Sequence, residues 1–109
     1  MSSTIQIDLD LKIKFLRAFG DKTRAQILEC IKNGEKTVSQ IVESVEGNQS
    51  NISQHLACLR GCGIIVGRQE GKYVYYGLRN QQIKALLDTF DDVLSQIQDD
   101  IACCENHIN

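Results

Sequence analysis

Neither proline nor tryptophan occurs in the 109 residues of this chain. Without proline, no helix interior is kinked or ended on its account, which suits a compact and mainly helical chain. An excess of positive charge is missing too. Twelve Lys and Arg meet fourteen Asp and Glu, for a formal charge of -2. That sum excludes a protein that holds nucleic acid by being basic throughout. No run of eighteen apolar residues exists, which excludes a membrane-spanning helix. The stretch from Met1 to Asp10 has no basic start followed by an apolar block, so no secretory signal is expected and the cytoplasm is the expected location. Five cysteines in such a chain are expected to stay reduced, and the odd count argues against a disulfide framework. There is no phosphate loop, nucleophile elbow or zinc-protease helix, so neither an enzyme nor a small organic substrate is expected. No Cys-x-x-Cys occurs, and the gap from Cys62 to Cys103 fits no zinc ribbon.

What is present is unevenly distributed. Residues 1–10 carry only Asp8 and Asp10. Residues 11–79 hold eleven basic against six acidic side chains, a surplus of +5. Residues 80–109 hold Lys84 against six acidic side chains, a deficit of -5. A basic middle with an acidic tail can bind a polyanion on one surface while the whole chain stays acidic.

The length fits one domain, residues 1–109, with a modest core. Its opening, Ile5, Ile7, Leu9, Leu11, Ile13 and Phe15, alternates with period two as a strand would. Leu9, Ile13, Leu16 and Phe19 equally fit a helix, so periodicity leaves the segment open. Asp21 reads as the N-cap of a helix with Ala25, Ile27, Leu28 and Ile31, closing near Asn33-Gly34. Thr37 and Gln40 form a capping box for a short helix through Val45. Gly47 breaks it. Asn48 then caps a helix with Ile52, His55, Leu56 and Leu59 on one face, stopped at Gly63. Two short helices around a tight turn, about residues 37–63, describe a helix-turn-helix. Residues 64–78 follow as a hairpin, Ile64 to Arg68 and Lys72 to Leu78, with the turn at Gln69-Glu70-Gly71. A hairpin in that place is a wing. The expected fold is mainly α with a β-hairpin wing, a winged helix-turn-helix. From about 81 to 102 runs a last helix whose apolar stripe includes Leu86, Phe90, Val93, Leu94 and Ile97. That stripe exceeds what so small a body covers, so the same helix of a second subunit is its expected partner.

A recognition helix reads base edges with residues near its N-terminus. Here these are Gln49, Ser50, Asn51, Ser53 and Gln54. Asn and Gln pair bidentately with adenine, and Ser contacts bases or phosphates. Arg68 and Lys72 flank the wing tip, where cations meet phosphates or a minor groove. His55 falls on the apolar side and reads as a packed, hydrogen-bonded core histidine.

Cys58 and Cys62, at i and i+4, project from neighbouring positions on one helix face. At about 100° per residue from Ile52 they lie near 240° and 280°, on the flank of the apolar face, which spans about 300° to 40°. Two thiolates at this spacing suit a soft metal, as an incomplete site. Cys103, Cys104 and His107 end the acidic helix and offer further donors. Cys30, beside Ile27 and Ile31, reads as a small core residue.

The segment Ser50-Asn51-Ile52-Ser53-Gln54-His55-Leu56-Ala57-Cys58-Leu59-Arg60-Gly61-Cys62-Gly63 resembles the recognition helix of the ArsR/SmtB metal-sensing repressors. The resemblance runs from about Leu11 to Cys104. Ala18-Phe19-Gly20-Asp21-Lys22-Thr23-Arg24 and the wing Glu70-Gly71-Lys72-Tyr73-Val74-Tyr75-Tyr76 support it. The stretch from Cys58 to Gly63 is most similar to the family's cadmium- and lead-sensing type. The resemblance implies a homodimeric repressor that binds an inverted-repeat operator in double-stranded DNA and leaves it on binding metal. It implies that the opening segment is a helix, paired with the last helix in the dimer. It also implies ligation by Cys58, Cys62 and one of Cys103 or Cys104. The vicinal pair departs from the type, leaves the third ligand open and allows a fourth. The zinc-sensing type's tail histidines are absent. Cd(II) and Pb(II) are the expected effectors, with Zn(II), Hg(II) and As(III) as competitors. The alternatives are an As(III)-responsive repressor, a thiol- or persulfide-sensing repressor using Cys30 and a tail cysteine, and a dimeric adaptor without DNA.

Overall fold

The computed structural model describes the backbone of residues 6–108 and the side chains of residues 6–98 and of Asp100. Helix α1 spans Leu9–Arg17, with the Asp8 side chain as its cap. From Leu9 on, the opening segment is thus helical, as the resemblance implies; Ile5 lies outside the described residues. None of its side chains within that span is buried, and Leu9, Leu11, Ile13 and Leu16 are 40 to 65% exposed. Alternation along the sequence spreads apolar residues around a helix instead of confining them to one stripe.

Helix α2, Lys22–Ile31, starts where the Asp21 carboxylate accepts from the Arg24 backbone N–H at 3.0 Å. It turns Ile27, Leu28 and Ile31 into the core. Strand β1, Lys36–Thr37, leads into helix α3, Val38–Ser44, whose capping box has both bonds in place. Helix α4, Gln49–Gly61, is capped by Asn48, which accepts from Asn51 N–H at 2.8 Å. It ends in a Schellman motif. Ile64 N–H reaches the Leu59 carbonyl, Gly63 N–H reaches that of Arg60, and Gly63 takes φ +77°, where a side chain would be strained. Cys30, by contrast with the expectation of a core residue, is only half-buried: Ile27, Leu28 and Ile31 fill the inner face and leave it on the flank of α2.

Strands β2, Ile65–Glu70, and β3, Tyr73–Leu78, pair antiparallel. The hairpin therefore turns on Gly71-Lys72, a shorter turn than the expected Gln69-Glu70-Gly71 and shifted toward the second strand. Gly71 alone takes positive φ, at the first turn position, which a type II′ turn requires. β1 adds a third strand on the far side of β3, Lys36 opposite Tyr76 and Thr37 opposite Tyr75. Two residues carry no periodicity, so this strand had no sequence signal.

The chain divides into two compact units between Arg79 and Asn80. In the second, the Asn80 side chain accepts from Ile83 N–H at 3.0 Å and starts helix α5, Gln81–Ile108, which runs past the expected end near 102. On α5, Leu86 and Phe90 are half-buried, and Val93, Leu94 and Ile97 are exposed.

Candidate nucleic-acid interface and thiolate site

The outward face of α4 follows from its inward one. Ile52, Leu56 and Leu59, spaced four and three apart, are buried to 2% exposure or less. Gln49, Ser50, Asn51, Ser53 and Gln54 are thereby turned to solvent at the helix start, all five exposed. Their amides and hydroxyls form the row of donors and acceptors that base edges in a major groove match.

The wing is electrostatically different from its sequence. Arg68 does not stand free. Its Nε donates to both carboxylate oxygens of Glu35, at 3.1 and 3.2 Å, and its Nη2 donates to Glu35 Oε1 at 2.8 Å. Nη1 donates to Glu70, and the guanidinium lies 5.1 Å from the Tyr75 ring centre. The Arg68 hydrogen bond holds the Glu35 carboxyl below the usual carboxylate range, and both carboxylates raise the pKa of Arg68. Glu35 precedes β1, which lies beside β3, so the third strand explains this partner; the local wing sequence gave no sign of it. Lys72, in the turn, is exposed, with Nζ 5.6 Å from the Tyr73 ring centre.

The cysteines fall on the flank of α4 as the spacing requires. Cys58 is exposed, Cys62 is half-buried at the helix end, and both thiols are free. Cys62 and Gly61 form one wall of a cleft of about 400 Å³; Ile7, Leu11, Phe15, Lys12 and Lys14 form the other. Among the described residues no group of three His, Cys, Asp or Glu is placed to hold a metal ion. Cys58 and Cys62 thus supply two soft donors of an incomplete set. The side chains of Cys103, Cys104 and His107 lie outside the described residues. Cys30 lines a separate shallow depression with Gln26, Glu29, Lys36 and Ser44.

One cluster has no counterpart in the sequence reading. Arg24 donates from Nε to the Ala18 carbonyl and from Nη2 to that of Arg17, both at 3.0 Å. Its Nη1 meets His55 Nδ1 at 3.3 Å, and His55 Nε2 lies 3.9 Å from Asp21 Oδ2. His55 is hydrogen-bonded, as expected, but part-buried and not in the core, and its partners come from α2 and the turn before it. The Arg24 backbone N–H, and after it the Arg24 guanidinium, hold the Asp21 carboxyl below the usual carboxylate range. The hint in the sequence lay in Asp21, read as a helix cap, and in Arg24, part of the segment that carries the family resemblance.

Comparison with known proteins gives these features a setting. A model of the arsR family of bacterial regulatory proteins matches residues 21–66, from the α2 cap into β2. The HTH-type transcriptional regulator CmtR of Mycobacterium tuberculosis is 34% identical over 87 residues, 80% of this chain and 74% of its own. A probable mercury resistance operon repressor of Streptomyces lividans is 35% identical over 78 residues, 72% of this chain and 62% of its own. Among solved structures, M. tuberculosis Rv0081 superposes with a TM-score of 0.82 at 28% identity, over 86% of this chain and 95% of that one. The homodimeric winged helix-turn-helix DNA-binding domain of Mycobacterium bovis Mb0332 gives 0.71 at 26%, over 86% and 91%. The cadmium metal-sensor CmtR of M. tuberculosis gives 0.62 at 35%, over 71% and 80%.

Proposed function

Because this chain belongs to the arsR family of bacterial regulatory proteins, we propose that it is a homodimeric, cysteine-based metal-responsive repressor. The observation that carries the reading is the placing of two free thiols, Cys58 and Cys62, on the helix whose N-terminal end presents Gln49, Ser50, Asn51, Ser53 and Gln54. Reader and effector donors share one rigid element.

In this reading, two copies present their α4 helices to the half-sites of an inverted repeat, and the side chains at the start of α4 contact bases. Lys72, with Arg68 where it is released, meets the phosphates. The exposed Leu9, Leu11, Ile13 and Leu16 of α1 and Val93, Leu94 and Ile97 of α5 supply apolar surface for the subunit interface. Cys58 and Cys62 ligate the effector as thiolates, joined by Cys103 or Cys104. A soft ion there supplies coordination alone, tying α4 to the tail. The helices then no longer match the operator spacing, and the two sites are coupled by about 1–3 kcal/mol, or 5–150-fold. Sulfur donors favour Cd(II) and Pb(II), with Hg(II) and Zn(II) as competitors. The relatives with cadmium and mercury in their descriptions support a soft ion. The vicinal Cys103-Cys104 favours As(III) as the second reading.

Fluorescence anisotropy on a labelled inverted repeat, with and without each ion, is the test. Salt-sensitive binding reversed by Cd(II) is expected, with an ultraviolet thiolate-to-metal band that Cys58→Ser and Cys62→Ser abolish. Both the band and DNA release surviving in those variants would overturn the thiolate assignment. Reversal by As(III) alone selects the second reading.

A further inference from the structure

Burial alone does not fix how a recognition helix is rolled about its axis. Ile52, Leu56 and Leu59 decide which side of α4 faces inward, but apolar contact is non-directional. A side-chain tip lies about 5–6 Å from the helix axis, so a roll of about 10° displaces it by about 1 Å. That displacement takes a base contact from about 2.9 Å out of hydrogen-bonding range. Something directional has to set the angle.

Hydrogen bonds supply it at one edge of the apolar stripe. His55 is the α4 side chain there; Arg24 meets it at hydrogen-bond distance and the Asp21 carboxylate lies 3.9 Å from its other ring nitrogen. A guanidinium only donates, so Arg24 Nη1 requires an unprotonated Nδ1 on His55. The ring proton then sits on Nε2, on the side of the Asp21 carboxylate, whose Oδ2 lies 3.9 Å away as an electrostatic neighbour and not a hydrogen-bond partner. Arg24 is itself fixed, because its two other donors hold the last carbonyls of α1. The Arg17 carbonyl also accepts from the Gly20 N–H at 3.0 Å, so the guanidinium joins a turn that the backbone already closes. The fork therefore ties the end of α1, the start of α2 and the middle of α4 together at one planar group.

We propose that Arg24, with Asp21, is a positioning residue for DNA reading: it clamps His55 and so sets the roll of α4. This rests on the repressor reading above. Arg24 touches no base in this account; it acts through His55. Lysine at 24 keeps the charge but has no fork to span two carbonyls and a ring. Leucine at 55 keeps the volume and removes both polar contacts. Glutamine at 55 retains one acceptor and one donor.

The test is DNA affinity by anisotropy, well below each variant's melting temperature, with folding checked by circular dichroism. Arg24→Lys and His55→Leu are each expected to weaken binding about tenfold, as loss of a hydrogen bond to a charged group does. The double variant is expected to be no weaker than either single one, because both break the same link. His55→Gln is expected to restore most of the affinity. A merely structural role lowers the melting temperature and leaves the folded protein's affinity unchanged; that result overturns the proposal, as does an additive double variant. If His55→Leu does not fold, Arg24→Lys set against His55→Gln carries the test: weak binding by the first and near-native binding by the second support it, and equal affinities overturn it. Absence of DNA binding by the unaltered protein is a different failure, that of the repressor reading.

Discussion

Neutralising Glu35 is expected to strengthen DNA binding and make it more sensitive to salt. In the free protein Arg68 is shared between Glu35 and Glu70, so the three side chains together carry one net negative charge. A phosphate approaching Arg68 meets that cluster, not a free cation. Glu35 makes three of the four hydrogen bonds to the guanidinium, and Glu70 makes one. Glu35→Gln therefore removes most of the hold and one repelling charge. One additional phosphate contact steepens the slope of log affinity against log salt by about 0.9. Between 50 and 200 mM salt that is an extra loss of about 3.5-fold. Anisotropy titrations at four salt concentrations read it directly. Arg68→Ala in the Glu35→Gln background should return the slope to its native value. In the native background Arg68→Ala should leave the slope unchanged. Weaker binding by Glu35→Gln, or an unchanged slope, would refute the masking argument and make the ion pair a brace for the wing.

Three further outcomes follow from burial, charge and exposure. Leu59→Ala deletes a wholly buried side chain and should cost about 2–5 kcal/mol in urea unfolding, with little change in the m-value. Asp21 has its carboxyl pKa lowered in the folded state, so its stabilising contribution is complete above the ordinary carboxylate pKa and fades as pH falls through the lower folded value. Asp21→Asn should therefore flatten the acid side of the stability profile below about pH 4. Leu94→Glu places a charge on the exposed apolar stripe of α5; sedimentation should show a monomer, and binding to a two-half-site operator should fall by more than binding to one half-site.

The elements that capping chemistry governs were legible in the sequence. Asp21, Thr37 with Gln40, Asn48 and Gly63 each act through atoms within three to five residues, and each stands where local rules put it. The exposed reading face of α4 followed from the same spacing that buries Ile52, Leu56 and Leu59. What escaped was non-local or too short to have a period. Strand β1 is two residues long and exists by pairing with β3, almost forty residues later in the chain. Arg68 looked like a free wing cation because its partner, Glu35, is 33 positions away. Arg24 and His55, 31 apart, show the same limit. Charge counting misjudged the availability of one charge in the basic region, since a sum over sequence does not register pairing. The hairpin turn is shorter and later than expected because Glu70 stays in the strand, opposite Tyr73, and Gly71 alone of the three expected turn residues takes positive φ.

The thiols and the proposed clamp lie on one flank of one helix, and this makes a coupling between them measurable. From Ile52, His55 lies near 300°, with Cys58 near 240° and Cys62 near 280°. An effector held by Cys58 and Cys62 together with donors from outside α4 pulls on the flank that Arg24 holds through His55. The helix cannot answer that pull and also keep the roll that the clamp sets. Cd(II) should therefore lower DNA affinity in the unaltered protein by a factor in the usual range of about 5–150. In His55→Leu the clamp is already gone, and the same ion should change the remaining affinity by less than about threefold. The ultraviolet thiolate band should be unaltered in that variant, because no sulfur has been removed. Linkage supplies an internal check: DNA must weaken Cd(II) binding by the same factor as Cd(II) weakens DNA binding, in each protein separately. A full-sized Cd(II) effect in His55→Leu would show that the thiolates reach the operator through the subunit interface alone, with the roll of α4 playing no part.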